Sequence, residues 1–314
     1  MNDSAFEHPL ALSTCWNSRR FQDGEELLEH AAEQGFAAVE LSHAIRYSLW
    51  PGILRGVENK VVRISSLHNF CPVPMGVLQP SPNCYLFSDE RPETREAAVK
   101  HTVETLRHAA ELGARAVVLH LGYAGPKGTS QRLEKFYEQG GPYCRGFVKA
   151  KVKAVTERRE VAAGVWERIQ SCLDQIVPAA QELGVRLGFE NRENYAEYPD
   201  DDAEMDRALA AYPGETVGYW HDFGHAARKD FFGFHDHEAT LRRLAPRLIG
   251  CHLHDCEPPT GDHRPLGTGK IDFPSLVSIL PRQTIPVLEL SPRVRSRDVR
   301  QSLDRWNSYA STLA

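Results

Sequence analysis

The feature that most constrains this chain is a repeated alternation of short apolar runs with longer amphipathic stretches. Such an alternation is typical of βα units built around a parallel sheet. Eight runs have the length and composition of strands: Leu10–Cys15, Ala37–Ser42, Val62–His68, Ala116–Gly122, Val185–Glu190, Thr216–Asp222, Leu248–His254 and Pro286–Leu290. Eight units of this kind predict an α/β fold in which the strands close into a (β/α)8 barrel.

Helical periodicity fills most of the segments between these runs. Two segments end at Gly113 and Gly184, and glycine is the common residue just past the end of a helix. The predicted helices are Gly24–Gly35, Pro92–Gly113, Arg159–Gly184, Asp201–Tyr212, His235–Leu244, Phe273–Leu280 and Arg297–Thr312. Proline and glycine interrupt the segment from Arg46 to Lys60, so only a short, irregular helix is predicted there.

No Ser/Gly-rich linker and no low-complexity tract divides the chain of 314 residues. A single TIM-barrel domain over residues 1–314 is therefore predicted. Two insertions interrupt the repeat, one near residues 71–89 and rich in Pro, Asn and Ser, the other near residues 123–149 and rich in Gly. Both follow strands, on the face of a barrel where loops carry function.

Charge and hydropathy narrow the classes of partner. A net charge of −5 makes nucleic acid an unlikely partner, and the basic stretch Arg145–Arg159 is interpreted as a solvated helix face. No apolar run approaches the roughly 20 residues of a membrane span. The first residues lack the cations and apolar core of a secretory signal, and the seven cysteines are scattered as reduced thiols would be. These features predict a soluble, cytoplasmic protein.

Polar residues end the later strands. The carboxyl ends of the strands in a parallel barrel open on one face, so these side chains are expected in a shared pocket. The third to eighth runs have a potential ligand at or near the carboxyl end, namely His68, His120, Glu190, Asp222, His254 and Glu289. One such residue could simply cap a helix, but six in succession indicate a metal site, because buried acids and histidines cost free energy unless paired or metal-bound. Carboxylates and imidazoles suit Mn²⁺, Co²⁺, Zn²⁺ or Mg²⁺.

The predicted metal ligands are Glu190, Asp222, His254 and Glu289. Residues two apart in a strand point to the same side, so His252 and His254 share a face, and His254 lies nearer the mouth. His252 is interpreted as an interior residue or as a partner behind the ligands. His221 is expected to pack outward against a helix.

In these motifs the chain resembles the xylose isomerase-like barrels, a group that includes ketose 3-epimerases, hydroxypyruvate isomerase, inosose dehydratase and endonuclease IV. The resemblance extends from residues 38–41 to residues 288–292. Its most specific parts are Gly188-Phe189-Glu190-Asn191, the Asp222 and His225 pair, residues 251–255 and residues 262–269.

The resemblance to ketose epimerases implies the same four metal ligands and a substrate contact at His225. It implies that Glu190 and Glu289 are catalytic and move protons, one on each face of a sugar carbon. The implied function is a divalent-metal-dependent isomerase or epimerase that acts on a sugar, sugar phosphate or polyol-derived ketone through an enediolate. Two positions depart from the epimerase pattern: His263 replaces an arginine, and Ala196 replaces a glutamate.

The resemblance to endonuclease IV implies a different function. The additional histidines of its zinc site match His68, His120, His225 and His263, which could form a second metal site. A zinc phosphodiesterase is therefore an alternative, as are a metal-dependent lyase or dehydratase and a non-catalytic barrel. The negative net charge and the proline-rich segment 72–82 favour a small carbohydrate-like substrate.

The predicted substrate-binding residues are His225, His263, Arg264, Trp16 and Asn194. Arg264 could meet an acidic or phosphorylated substrate. Trp16 could stack on a sugar or fill the end of the barrel. A group of aromatic residues is predicted to form pocket walls or a homo-oligomer contact, namely Tyr195, Phe231, Phe232 and Phe234.

Overall fold

The computed structural model describes residues 6–125, 128–199, 202–259 and 261–312. Within them, eight parallel strands close into a barrel, which confirms the predicted (β/α)8 TIM-barrel fold. The barrel strands are β1 (Ala11–Ser13), β2 (Ala38–Leu41), β3 (Arg63–His68), β4 (Ala116–Leu119), β6 (Arg186–Glu190), β8 (Val217–Asp222), β9 (Leu248–Leu253) and β10 (Ile285–Leu288). They follow one another around the barrel in chain order, and β10 pairs with β1 to close it. Two short strands, β5 (Gly122–Tyr123) and β7 (Glu197–Tyr198), pair outside the barrel.

The helices surround the barrel. They are α1 (Gly24–Glu33), α2 (Trp50–Glu58), α3 (Pro92–Glu111), α4 (Thr129–Gly140), α5 (Arg145–Leu183), α6 (Asp202–Ala210), α7 (Phe223–Phe231), α8 (His237–Leu244), α9 (Phe273–Val277) and α10 (Ser296–Ser311). Asp201, where one helix was predicted to begin, lies outside the described residues. The described helices include none with an apolar stretch long enough to span a membrane.

α2 is a helix of 9 residues that directly follows a 3-10 turn at Tyr47–Leu49, so the predicted short helix is present and its irregularity is confined to that turn. Pro51 lies in the first turn of α2, where a missing backbone N–H breaks no intrahelical bond. Gly52 and Gly56 face α1 closely, and a Cβ on Gly52 would lie 2.5 Å from the backbone nitrogen of Gly24. The glycines therefore allow two helices to pack instead of interrupting one.

The segment near residues 123–149 contains α4 and the beginning of α5, which starts at Arg145 and not at the predicted Arg159. Phe147, Ala150 and Ala154 lie at helical spacing and are buried. Phe147 and Ala150 pack with Leu133 of α4 and with Phe232, which follows α7. This second, smaller core explains why a glycine-rich segment is helical.

The barrel interior has an apolar layer and a polar layer above it. The apolar layer consists of Ala11, Ala38, Ala116, Val118, Trp220, Ile285 and Val287. Trp220 has room there because residues 188 and 250 are glycines, and a Cβ on Gly250 would lie 2.3 Å from its ring. Two residues farther along their strands, Glu40, His120 and Asp222 point to the same side and form part of the polar layer.

Candidate metal centre

Three buried carboxylates surround one imidazole nitrogen in the polar layer. Nδ1 of His252 lies 3.3 Å from Oε2 of Glu289, 3.6 Å from Oε1 of Glu190 and 3.7 Å from Oδ2 of Asp222. Glu190 and Asp222 end β6 and β8, and Glu289 follows β10 directly. The structure thus brings together the three acids predicted as ligands.

The hydrogen bonding of His252 leaves Nδ1 available as a ligand. Nε2 of His252 lies 3.3 Å from both carboxylate oxygens of Glu40, so the ring proton belongs on Nε2. Nδ1 then directs a lone pair at the three carboxylates, the arrangement of a metal-binding histidine with a supporting carboxylate behind it. Nδ1 of His252 and Oε2 of Glu190 are buried without a hydrogen-bond partner among the described residues. Because such orphaned polar atoms are costly in a protein interior, this donor set fits a metal ion.

Both nitrogens of His254 are engaged in hydrogen bonds. Its Nδ1 accepts from the backbone N–H of His263 at 2.9 Å, so its proton lies on Nε2, 3.0 Å from Oδ2 of Asp222. Asp222, His254 and Glu289 still offer ligand atoms within 4.8 Å of one another. The hydrogen bonds nevertheless favour His252 as the ligand and His254 as the residue that holds Asp222, the reverse of the roles expected from the sequence.

Two further histidines converge on Glu190. Nε2 of His120 and Nε2 of His68 lie 2.9 Å and 3.3 Å from its Oε2. Nδ1 of His120 lies 3.1 Å from the side-chain Oδ1 of Asn83, and Nδ1 of His68 lies 3.2 Å from the backbone carbonyl oxygen of Asn69. The ring protons therefore belong on Nδ1, and both Nε2 atoms direct lone pairs at a carboxylate oxygen. This is a second place where the residues fit a cation.

The other two histidines of the predicted second site lie on a different side of the cluster. His225, His254 and His263 offer ligand atoms within 4.8 Å of one another. Nδ1 of His263 lies 3.2 Å from Oδ1 of Asp262, and its ring stacks on His254 with centroids 4.2 Å apart. The four predicted histidines thus form two groups. His68 and His120 contact Glu190, whereas His225 contacts Glu190 and His263 contacts Glu289.

The electrostatics of the cluster favour a bound cation. Burial raises the pKa of Glu190, but Arg192 and His120 outweigh burial and hold that pKa well below its usual value. Burial likewise raises the pKa of Glu289, which His252 brings below its ordinary value. Burial lowers the pKa of His252, but Glu289 and the other carboxylates raise it well above normal. The carboxylates are therefore ionised, and their field favours positive charge at Nδ1 of His252, supplied by a proton or by an ion that replaces it.

Sequence reasoning missed three buried charged residues. Arg192 donates from Nη1 to Oε1 of Glu190 at 2.7 Å and from Nε to Glu197 at 3.2 Å. Glu197 follows Ala196, the position at which the resemblance implies a glutamate. Glu40 receives hydrogen bonds from Ser13 and Ser66 as well as facing His252. Two features of the sequence could have indicated them: Glu40 is an acid within the apolar run of β2, and Arg192 lies two residues after the end of β6.

A cavity of about 330 Å³ reaches the cluster at Glu289 and His263. Arg19 and His43 lie on its wall. Nδ1 of His43 is buried without a hydrogen-bond partner, and Arg19 makes no ion pair, in both cases within the described part of the chain. The volume suits a small molecule.

The remaining predicted substrate-binding residues lie apart from this wall. Trp16 is buried, donates to the carbonyl oxygen of Val294 at 2.8 Å and stacks on His30. Its contacts are thus with α1 and with the loop after β10. Asn194 accepts a hydrogen bond from the backbone of Ala196, and Arg264 pairs with Glu257 at 3.4 Å.

The aromatic group predicted as pocket walls or an oligomer contact packs inside the chain. Tyr195 stacks on Phe234 with centroids 4.1 Å apart, and Phe231 and Phe232 contact Tyr137 of α4. His221 contacts His237 of α8 at 2.9 Å between their Nε2 atoms, which confirms its outward packing.

Comparison with known proteins identifies the family. The model of the xylose isomerase-like TIM barrel family matches residues 28–308. The sequence matches none of the curated proteins. The fold is similar to that of a D-tagatose 3-epimerase-like protein, with 17% identity, a TM-score of 0.68 and coverage of 97% of this chain and 98% of that chain.

Two other solved structures are similar over nearly their whole length. One is the 3-keto-D-glucoside 4-epimerase YcjR from E. coli, with 14% identity, a TM-score of 0.63 and coverage of 96% of this chain and 99% of that chain. The other is the TTHB071 protein of Thermus thermophilus soaked with ZnCl2, with 22% identity, a TM-score of 0.58 and coverage of 98% and 99%. At such identities these likenesses show the fold alone, whereas the family match covers most of the sequence. The chain therefore belongs to the xylose isomerase-like TIM barrel family.

Proposed function

We propose that this protein is a divalent-metal-dependent isomerase or epimerase of a small carbohydrate-like substrate: a sugar, a sugar phosphate or a polyol-derived ketone. The observation that carries the proposal is the meeting of Glu190 and Glu289 at Nδ1 of His252, at the end of a cavity of small-molecule size. The similar structures named as sugar epimerases support it.

We propose that Glu190, Asp222, Glu289 and His252 hold the ion, which would be Mn²⁺, Co²⁺, Zn²⁺ or Mg²⁺. The set with His254 in place of His252 is the alternative predicted from the sequence. When bound, the ion polarises adjacent substrate oxygens and makes the neighbouring C–H bond more acidic.

Glu289 is the better placed of the two carboxylates to take a proton from substrate. It lies on the cavity wall, and its Oε2 faces His252 and His263. Against the effect of burial, His252 and His263 hold the pKa of Glu289 below its ordinary value, so its carboxylate is ionised and has a lone pair that can accept a proton. Glu190 approaches the substrate position from β6. If Glu190 first takes a proton from solvent and gives it to the same carbon on the other face, while Glu289 keeps the proton it removed, that carbon is inverted. If Glu289 gives its proton to the neighbouring carbon, and a proton moves between the two substrate oxygens, the carbonyl changes position.

Solvent exchange tests this proposal. Metal-loaded protein incubated in D2O with a panel of ketoses and ketose phosphates should place deuterium beside the carbonyl of its substrate. Glu289→Gln should lower the exchange rate by about 10²–10⁴-fold, the usual contribution of a positioned acid or base. Metal content is measured in parallel, so that loss of the base can be separated from loss of the ion. Absence of exchange with every sugar would refute proton-transfer chemistry.

Metal content also distinguishes the two histidines. His252→Gln should lose the ion, because it removes the free lone pair, whereas His254→Gln should retain most of it. The opposite result would support the ligand set expected from the sequence. The Glu190→Gln/Glu289→Gln variant, expected to bind no metal, is the negative control.

A second candidate function is zinc-dependent phosphodiester hydrolysis of the endonuclease IV kind. The approach of His68 and His120 to the free oxygen of Glu190 favours it, because it offers a place for another ion. Two or three zinc ions per chain, with salt-sensitive nicking of abasic DNA, would support hydrolysis. One ion per chain with sugar exchange would support the isomerase.

We also propose that the protein acts in the cytoplasm, where it would assemble as a homo-oligomer. All seven cysteines are free thiols, which supports a reducing compartment.

A further inference from the structure

The end of the barrel opposite the metal centre is rich in arginine. An arginine is the first residue of a strand, or the residue just before it, at four of the eight barrel strands: Arg63, Arg115, Arg186 and Arg247. All four therefore lie at the amino-terminal ends of the strands, across the apolar layer from the acids.

Two of these arginines have structural partners. Arg186 donates to the carbonyl oxygen of Gly214 at 3.1 Å. Arg247 donates to the carbonyl oxygens of Leu209 and Val217, both at 2.9 Å. These guanidinium groups tie the chain before β8 to the starts of β6 and β9.

The other two arginines have no such role. Across residues 6–125, 128–199, 202–259 and 261–312, the side chains of Arg63, Arg115 and nearby Lys60 make no hydrogen bond or ion pair. All three line one cavity of about 610 Å³. Glu7 is the single acid on its described wall, so the cavity carries a net positive charge.

The side chains of Lys60, Arg63 and Arg115 are exposed, and part of the cavity wall between them is apolar. Buried residues line the cavity between them: Ala38, Val62, Ile64, Leu112 and Ile285. His8 also lies on the wall, where burial lowers its pKa and Arg115 and Arg63 lower it further. The fields of both guanidinium groups thus reach one point inside the cavity.

We infer that this cavity binds a small organic anion that carries a phosphate or more than one carboxylate. Arg63, Arg115 and Lys60 bind the charged group, and the apolar wall contacts the carbon skeleton. Guanidinium groups form paired hydrogen bonds with these anions, and a volume of about 610 Å³ accommodates a molecule of sugar phosphate size. The site is separate from the metal centre and does not depend on the proposed function.

Calorimetric titration of the full, metal-loaded protein tests the inference. The probes are glucose 6-phosphate, tricarballylate as the carboxylate probe and glucose as the uncharged control. Wild type should bind at least one anion and should bind it more tightly than glucose. Arg63→Gln/Arg115→Gln should bind that anion at least about tenfold more weakly, because two charge-assisted contacts are lost. The anion that binds identifies the preferred group.

The matched control is Arg107→Gln/Arg159→Gln, which removes two exposed arginines from α3 and α5 with the same change in net charge. It should bind like wild type. If all three proteins bound the anion with equal affinity, the anion would bind elsewhere, for example at the metal centre, and the inference would be overturned. Failure of the wild type to bind either anion would also overturn it.

Thermal unfolding separates a binding role from a structural one. Without ligand, Arg63→Gln/Arg115→Gln should melt at the wild-type temperature or above it, since two unpaired like charges are removed. Arg186→Gln should melt lower, because it loses a bond to Gly214. A melting temperature of the cavity variant as low as that of Arg186→Gln would assign these arginines to stability and would also overturn the inference.

Discussion

Glu40 lies behind the metal centre and orients His252 without facing the cavity. Its oxygens lie 3.3 Å from Nε2 of His252 and receive hydrogen bonds from Ser13 and Ser66. Glu40→Gln weakens the interaction that keeps the ring proton on Nε2. We predict a loss of metal affinity of about 10–100-fold, as is usual when such a supporting group is changed, measured by competition with a chromogenic chelator.

Ser66→Ala is the matched control for Glu40→Gln. It removes one hydrogen bond to the carboxylate and leaves the contact with His252 in place. Its effect on metal affinity should be clearly smaller. If Glu40→Gln bound metal as wild type does, the orientation of His252 would have to depend on other contacts.

The limits of sequence reasoning at the residue scale are visible at residues 252 and 254. Alternation along a strand shows that both histidines face the interior, and this is correct. It contains no information on which ring nitrogen is hydrogen-bonded. That depends on Glu40 and on the backbone of His263, which lie 212 and 9 residues away from these histidines along the chain.

At the scale of elements, α5 connects the outer layer to the loop that follows β6. Arg158, in the middle of this helix of 39 residues, is buried and forms an ion pair with Glu204 of α6. It also donates to the carbonyl oxygen of Tyr195 at 2.7 Å. Arg158→Met leaves the carboxylate of Glu204 buried without this partner. We predict a loss of about 3–5 kcal/mol in the free energy of unfolding, measured by urea denaturation.

Lys153→Met provides the comparison on the same helix. Lys153 pairs with Glu157 at 3.4 Å, and the two side chains are 57% and 37% exposed, so the loss should be about 0.5 kcal/mol or less. The double variant Arg158→Met/Glu204→Met should recover part of the stability, because no unpaired charge remains buried. Equal losses in Arg158→Met and Lys153→Met would contradict a buried role for this pair.

The strands were easier to predict than the helices. All eight strands were predictable because each is a short apolar run bounded by polar residues. α4 and the first part of α5 were not, because their segment is rich in glycine and its helical conformation depends on packing against Phe232. α7 follows β8 without a loop, so its residues appeared in the sequence as a continuation of the strand motif.

At the scale of the whole molecule, the barrel separates charge along its axis. The acids of the polar layer lie at the carboxyl ends of the strands, and arginines lie at the amino ends. A net charge of −5 concealed this separation, because composition averages over both ends. The number of strands was enough to predict a closed barrel. To place each charged residue at one end of that barrel, the direction of its strand is needed as well.

Removal of metal should therefore change the stability of the whole fold. Without an ion, Glu190, Asp222 and Glu289 are held as three buried, ionised carboxylates close to one nitrogen. An ion that binds the folded chain alone stabilises it by about 4 kcal/mol when present at a thousandfold excess over its dissociation constant. We predict that EDTA lowers the melting temperature in scanning calorimetry and that added metal restores it.

The variant Glu190→Gln/Glu289→Gln tests the electrostatic cause of that loss. It should melt at a temperature that neither EDTA nor metal alters, and below that of the metal-free wild type, because Arg192 and the histidines lose the buried carboxylates that pair with them. A wild-type melting temperature insensitive to EDTA would argue against a resident ion. A variant more stable than the metal-free wild type would show that repulsion among the acids outweighs their pairing with Arg192 and the histidines when no ion is bound.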